Sequence, residues 1–207
     1  MAEHTAIIKD LLDIGAVQIR PEDPFTWTSG IKSPIYCDNR LTMSYPEVRK
    51  KIRDLFVEHI KEVKPAVDVI AGCATAGIPH AAFIAEAMDV PMVYVRSSAK
   101  KHGKGNQIEG MIHPGDRVIV IEDLISTGQS SIQAAEALRE AGADVIEVMA
   151  IFSYGLPKAE EAFQQAGFRY QTLTGFHELI SYMKANGQLD EKAEAKLEKW
   201  QKEPAAY

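Results

Sequence analysis

Apolar residues at the start of the chain follow a helical period. Ile7, Ile8, Leu11, Leu12 and Ile14 share one face of a helix predicted over about 5–14, and Gly15 stands where that helix must stop. From Val17 to Asp38 the pattern shortens: Val17, Ile19, Phe25, Trp27, Ile35 and Tyr36 are separated by Pro21, Pro24, Gly30 and Pro34. That spacing suits short strands and turns lying outside a main sheet. From Pro46 onward the pattern alternates between helix and strand. Pro46 opens a helix to about residue 63, and VDVIAG (67–72) reads as a strand covered on both faces. A helix over 78–88 leads to a strand over 91–96 and a polar loop. A strand over 117–123 then leads to a helix over 130–140 and a strand over 144–152. Buried strands joined by helices predict an α/β fold, with a central, mostly parallel sheet flanked by helices and right-handed crossovers. The last third adds a helix over 158–165, a strand near 168–173 and two helices on either side of Asn186 and Gly187. The final helix, over 190–203, is rich in Lys, Glu and Ala; its charges read as a solvated face and Trp200 as its packing anchor.

Composition narrows the class of partner. With 207 residues, 46% hydrophobic and 25% charged, the chain can build one core without staples. Its 23 Lys+Arg against 29 Asp+Glu give a net charge of −6, which argues against nucleic acid as a partner. Any basic patch must be local. Cys37 and Cys73 form no disulfide framework or metal knuckle and are expected as free thiols, and His59, His80, His113 and His177 lack metal-ligand spacing. No apolar run approaches the length of a membrane span, and no basic segment followed by an apolar core opens the chain. The expectation is a cytoplasmic protein with no membrane partner.

In open α/β sheets ligands bind beyond the carboxyl ends of the strands, so the loops after 72, 96 and 123 are the places to look for chemistry. The third is the richest. VIVIEDLISTGQSS (118–131) places Glu122 and Asp123 beside a turn of small and hydroxyl residues that opens a helix, an arrangement suited to cradle a phosphate. It is neither a Walker A loop nor a dinucleotide fingerprint. Adjacent acids can also accept hydrogen bonds from vicinal hydroxyls such as those of a ribose; taken alone, they are equally a charge pair before an ordinary helix cap. The second loop, RSSAKKHGKGNQIEG (96–110), gathers Arg96, Lys100, Lys101, His102 and Lys104 in an otherwise acidic chain, as a loop closing over a diphosphate would. The first, AGCATAGIPHAA (71–82), contains mostly small residues, which let backbone amides approach an anion.

The string of apolar residues, two acids, two apolar residues and Ser-Thr-Gly resembles the phosphoribosyl-diphosphate motif of the type I phosphoribosyltransferases. Arg96, Lys100, His102 and Gly103 stand in the R-x3-K-x-H-G arrangement that resembles the catalytic loop of the orotate phosphoribosyltransferases. FTWTSGIKSPIYCDNR (25–40) is similar to their N-terminal hood. The resemblance runs from about Phe25 through the strand at 152. It implies the type I phosphoribosyltransferase fold as a single domain over 1–207, with hood elements from 1–40 and the C-terminal segment. It further implies transfer of the 5-phosphoribosyl group from 5-phosphoribosyl 1-diphosphate to orotate, giving orotidine 5-phosphate and diphosphate in UMP biosynthesis.

The resemblance also carries residue roles. Catalysis would fall to Lys100, His102 and Asp123. The phosphoribosyl diphosphate would meet Arg96, Lys100, His102, Glu122, Asp123, Leu124, Ile125, Ser126, Thr127, Gly128, Gln129 and Ser130, with Thr75 and Ala76 from the diphosphate loop; Ser126, Tyr36 and Cys37 would frame orotate. Mg²⁺ is the implied cofactor, bound mainly through substrate with no protein ligand assigned. A homodimer is implied, in which the 96–104 loop is shared between subunits. Two positions depart from the pattern. Thr28 stands where many members have Lys, with Lys32 nearby. Ser153, Tyr154 and Gly155 follow the strand where many members have an Asp-Arg pair whose Arg contacts the base carboxylate. The residue that reads the carboxylate is therefore unassigned. Two further readings share the 122–130 loop: a purine-salvage phosphoribosyltransferase, which would lack the 25–40 segment, and a non-catalytic regulator that senses phosphoribosyl diphosphate.

Overall fold

The computed structural model describes residues 2–26, 30, 32–98 and 107–204. Helix α1 (Ala2–Asp13) precedes four short strands, β1 (Val17–Ile19), β2 (Phe25–Thr26), β3 (Lys32–Ser33) and β4 (Ile35–Cys37). A 3-10 helix over Asn39–Ser44 leads to α2 (Pro46–Glu62), β5 (Val69–Cys73), α3 (Gly77–Met88), β6 (Met92–Val95) and β7 (Ile108–Glu109). The remainder comprises β8 (Arg117–Ile125), α4 (Gln129–Glu140), β9 (Asp144–Ser153), α5 (Pro157–Ala166), β10 (Tyr170–Gly175), α6 (Phe176–Ala185) and α7 (Glu191–Lys202). Among the described residues, no helix is long and apolar enough to cross a membrane.

Six strands form the main sheet in the order β10-β9-β8-β5-β6-β7. All neighbours are parallel except β6 and β7. The apolar runs fill both faces because alternate side chains point to opposite sides of a strand. Ile70, Ile119, Ile121, Met149 and Ile151 join the core built with α1, α2, α3, α6 and α7. Their neighbours Val69, Ala71, Val118, Val120, Val148 and Ala150 join the core built with α4 and α5. Each fully buried aliphatic side chain contributes roughly 1.5–3 kcal/mol, so the central strands are the most expensive part of the fold to displace. That rigidity is inherited by whatever sits at their ends.

The main elements fall where the pattern predicts them. β8 and β9 run further than the periodicity indicates, to Ile125 and Ser153, and pair at Glu122↔Ala150, Leu124↔Phe152 and Ile125↔Ser153. The acidic pair thus lies inside a hydrogen-bonded ladder. β7 was expected as loop: two residues cannot show an alternation, and the strand exists because Tyr94↔Glu109 and Val95↔Ile108 pair in space.

The N-terminal strands make two small antiparallel ribbons, β1 with β4 and β2 with β3. They are tied to the body by the far end of the chain. Trp200, fully buried on α7, donates its indole N–H to the carbonyl of Lys32 at 3.1 Å. The charges of α7 stay at the surface, where Lys196 reaches Glu22 at 2.6 Å and Glu194 meets Lys184 at 2.6 Å. Asp190 caps that helix by accepting the Ala193 amide at 2.7 Å. Both cysteines are free and buried. Of the histidines, His80 is a core residue, His59 and His113 sit beside Glu147 and Asp116, and His177 is exposed.

Candidate active site

The carboxyl ends of β5, β6, β8 and β9 lie side by side, and the site is built on β8. Glu122 and Asp123 are consecutive residues at the carboxyl end of the strand, and their side chains interact directly. Glu122 turns towards α4: one carboxylate oxygen accepts the Ser130 hydroxyl at 3.1 Å and the Ser131 hydroxyl at 3.4 Å, and the other accepts the Asp123 amide at 3.1 Å. It is 5% exposed. Burial, followed by the charge of Asp123, pushes its pKa up to about 8. Asp123 has Asp38 and Arg40 as its charged neighbours on the side of the 3-10 helix, and burial raises its pKa as well. Cys73, at the end of β5, lies beside Glu122; burial and that carboxylate hold its thiol protonated.

Two helix N-termini border this pair. The strand passes into α4 through Ser126, Thr127 and Gly128. Gly128 has φ +76°, and a Cβ there would stand 2.6 Å from the Phe163 ring, so only glycine makes this turn without strain or collision. The first intrahelical bond runs from the Ile132 amide to the Gly128 carbonyl at 2.9 Å. The amides of Gln129, Ser130 and Ser131 thus lie outside the intrahelical ladder, and no acid in the first turn opposes an anion. Ser130 differs from the simple expectation, since its hydroxyl is turned back to Glu122. On the other side, Gly77 presses the start of α3 onto β8. A Cβ on Gly77 would meet the Ile121 carbonyl at 2.3 Å and the Glu122 Cα at 3.2 Å. Thr75, exposed, and Ala76, half-buried, precede it, and the first turn of α3 also lacks an acid.

Arg96 follows β6. Its amide donates to the Gln107 carbonyl at 2.9 Å, the Gln107 side chain returns a bond to its carbonyl at 2.7 Å, and its guanidinium lies 3.7 Å from Glu109. These contacts close the base of the cationic segment. Lys100 and His102, together with Lys101, Gly103 and Lys104, lie outside the described residues, as does Thr28.

The N-terminal ribbons approach β8 from the face of Asp123. Asn39, fully buried, donates its side-chain amide to the Asp123 carbonyl at 2.6 Å and accepts from the Cys37 thiol at 3.3 Å. The Cys37 amide donates to the Tyr154 hydroxyl at 3.1 Å. Tyr36 packs against Phe25 with ring centroids 5.4 Å apart, and the Arg20 guanidinium lies over the Phe25 ring, 4.6 Å from its centroid. Glu122, Asp123, Ser126–Ser130, Tyr36 and Cys37 are therefore brought together, with Thr75 and Ala76 adjoining through Gly77, and Arg96 two strands away at the end of β6. Asn39 and Tyr154 are structural members of the site that sequence reasoning missed. Asn39 lies within the 25–40 motif, but nothing in the pattern marks one polar residue between Asp38 and Arg40 as buried.

Among the described residues, no group of three or more His, Cys, Asp or Glu is arranged to hold a metal ion. Two carboxylates, one already engaged by hydroxyls, suit a hard cation that takes most of its oxygens from a phosphorylated ligand and water.

Residues 44–168 match the family model for the phosphoribosyl transferase domain. The chain is 57% identical over 195 residues to the orotate phosphoribosyltransferase of Staphylococcus saprophyticus, covering 94% of this chain and 96% of that protein. It is 58% identical over 191 residues to the orotate phosphoribosyltransferase of Oceanobacillus iheyensis, covering 92% and 95%. Among solved structures, the orotate phosphoribosyltransferase of Aeropyrum pernix superposes with a TM-score of 0.74 at 28% identity, over 89% of this chain and 99% of that one. The Mycobacterium tuberculosis enzyme of the same name, in complex with 5-phospho-alpha-D-ribosyl 1-diphosphate, gives 0.65 at 25% identity, over 86% and 98%. A domain match over more than half the chain, with identities above 50% along nearly the full length of its relatives, means that the chain belongs to the phosphoribosyltransferase family, among its orotate phosphoribosyltransferases.

Proposed function

We propose that the chain transfers the 5-phosphoribosyl group from 5-phosphoribosyl 1-diphosphate to orotate, yielding orotidine 5-phosphate and diphosphate in pyrimidine biosynthesis. The observation that carries this reading is the placement of Glu122 and Asp123 inside β8, bordered by the N-termini of α3 and α4 and faced by Tyr36 and Cys37.

Displacing diphosphate from an anomeric carbon passes through an oxocarbenium-like state, so the protein must position the reactants and stabilise charge rather than supply a nucleophile. The turn Ser126–Gly128 and the first amides of α4 hold the 5-phosphate, Ser130 through its amide. Glu122 and Asp123 accept the 2- and 3-hydroxyls of the ribose. As those donors replace lost water, Glu122 gives up the proton that burial favours, and the two carboxylates then face the positive charge developing on the sugar. Thr75 and Ala76, with the start of α3, receive the diphosphate. Arg96, Lys100 and His102 neutralise it as it leaves, and closure of their loop excludes water. Mg²⁺, when bound, would supply further positive charge to the departing diphosphate, held mainly through the substrate with no protein ligand assigned. Ser126 and the Tyr36–Cys37 edge frame the planar base. The chain acts as one domain with its hood, as a cytoplasmic homodimer whose 96–104 loop reaches the neighbouring site.

The test uses purified protein with 5-phosphoribosyl 1-diphosphate and Mg²⁺. Orotate absorbance should fall with stoichiometric release of diphosphate. Consumption of adenine or hypoxanthine in place of orotate would move the assignment to purine salvage, and turnover of no base at all would leave a sensing regulator.

A further inference from the structure

Tyr154 stands directly after β9 and is 3% exposed. Its ring meets Phe152 edge to face, with centroids 5.8 Å apart, and meets Trp200 in the same manner at 5.8 Å. Those contacts would be served equally well by a phenylalanine. What the hydroxyl adds is a bond across 117 positions of sequence, accepting the Cys37 amide at 3.1 Å. Its own amide donates to the Ile125 carbonyl at 3.2 Å. Ile125 immediately precedes Ser126. One residue therefore spans the gap between the two segments that frame the base, gripping Ser126's neighbour by its backbone and Cys37 by its side chain.

The direction of the Cys37 amide makes this bond consequential. On the ribbon formed by β1 and β4, the Asp38 amide donates to the Ala16 carbonyl at 2.7 Å and the Arg20 amide to the Pro34 carbonyl at 2.7 Å. By the alternation of an antiparallel ladder, the amides of Ile35 and Cys37 point away from β1. The first is met locally, by the Ser33 hydroxyl at 3.3 Å. Among the described residues Cys37 has no such local partner, and its amide is met by reaching the body of the protein at Tyr154. Helix α7 holds both ends of the arrangement: Trp200 donates to the Lys32 carbonyl at 3.1 Å, and the Gln201 side-chain amide donates to the carbonyl of Gly155. Burial holds the Tyr154 phenol well above its ordinary pKa, so it remains a neutral hydroxyl across the working range.

We propose that Tyr154 is a positioning residue for the base: its hydroxyl fixes the Tyr36–Cys37 edge at a set distance from Ser126, so that it governs affinity for the planar acceptor and leaves affinity for phosphoribosyl diphosphate nearly untouched. This inference rests on the reading of the site proposed above. It also gives a role to the position where the sequence departs from the Asp-Arg pattern, a role exerted through the hood backbone.

Tyr154→Phe keeps the ring and removes the bond. In steady-state assays with each substrate varied in turn, KM for orotate should rise roughly tenfold, the effect of one buried amide left unsatisfied, while KM for 5-phosphoribosyl 1-diphosphate stays within about twofold of wild type. An equal rise in both constants, or a lowered melting temperature with unchanged KM values, would overturn the proposal in favour of a packing role. Trp200→Phe loses the indole bond to the Lys32 carbonyl together with part of the ring packed on Tyr154 and Phe176, so it should show the same split in milder form on top of a lowered melting temperature; if Tyr154→Phe does not fold, the split in this variant decides, and its absence counts against the proposal. Wild-type protein in the same assays separates the two levels, because failure to turn over orotate refutes the function, whereas normal wild-type turnover with no split in the variants refutes only the role of Tyr154.

Discussion

The side-chain amide of Asn39 donates to the main-chain carbonyl of Asp123 at 2.6 Å, so a residue just outside the N-terminal ribbons holds the backbone of the strand that carries both acids. Its Oδ1 is in turn met by the Cys37 thiol. Asn39→Ala would leave a buried carbonyl and a buried thiol unpaired, and should cost about 1–3 kcal/mol of stability in urea denaturation. Asn39→Asp keeps the shape but brings a carboxylate against a carbonyl oxygen in a site already crowded with Asp38 and Asp123. It should be worse than alanine in both stability and kcat. If aspartate were tolerated better than alanine, the bond would not matter.

Gly128 tests the turn between β8 and α4. An alanine there is strained by a φ of +76° and drives its Cβ to 2.6 Å from Phe163, a core ring stacked on Tyr170 at 4.4 Å. The ring cannot retreat cheaply, so the turn must move. Gly128→Ala should lower stability by about 1–3 kcal/mol and raise KM for 5-phosphoribosyl 1-diphosphate, with a smaller effect on KM for orotate. Isothermal titration with each ligand would check the order.

Lys100 lies on the cationic segment whose base is closed by Arg96 and Gln107. If that segment acts on the leaving diphosphate rather than on the resting substrate, Lys100→Ala should lower kcat by about two orders of magnitude or more while KM for 5-phosphoribosyl 1-diphosphate changes several-fold at most. Single-turnover kinetics would separate chemistry from release, and a normal rate of chemistry would remove Lys100 from the mechanism.

Periodicity was enough to place the strands and helices because both faces of the sheet are covered, and a strand such as VIVI then reads as an unbroken apolar run. It failed for β7, where two residues pair only because β6 is already in place. Within the site, Glu122, Asp123 and Ser126–Gly128 were legible because the chemistry is local: acids and a hydroxyl turn at one strand end. Asn39 and Tyr154 were not, since each acts on a partner many positions away, Asp123 and Cys37 respectively. A bond of that kind leaves no trace in spacing. Trp200 shows the intermediate case: its size alone marked it as an anchor, while its partner at Lys32 could be learned only from the fold.

The protonation of Glu122 should be visible in the stability of the ligand-free protein. Burial, with the charge of Asp123 second, moves its pKa from an ordinary 4.5 up to about 8. The folded chain then binds a proton more tightly than the unfolded chain, so between those two values folding takes up a proton and stability must fall as pH rises. Ribose hydroxyls donate best to an ionised carboxylate, so affinity for 5-phosphoribosyl 1-diphosphate should move the other way, strengthening as pH rises towards about 8 with release of a proton on binding. Glu122→Gln abolishes the titration while keeping the site neutral. Its melting temperature should therefore decline less than that of wild type between about pH 5.5 and pH 8, and calorimetry in buffers of different ionisation enthalpy should detect less proton release on binding. Parallel melting curves for the two proteins across that range would show that Glu122 is already ionised in the ligand-free site, held so by the Ser130 and Ser131 hydroxyls.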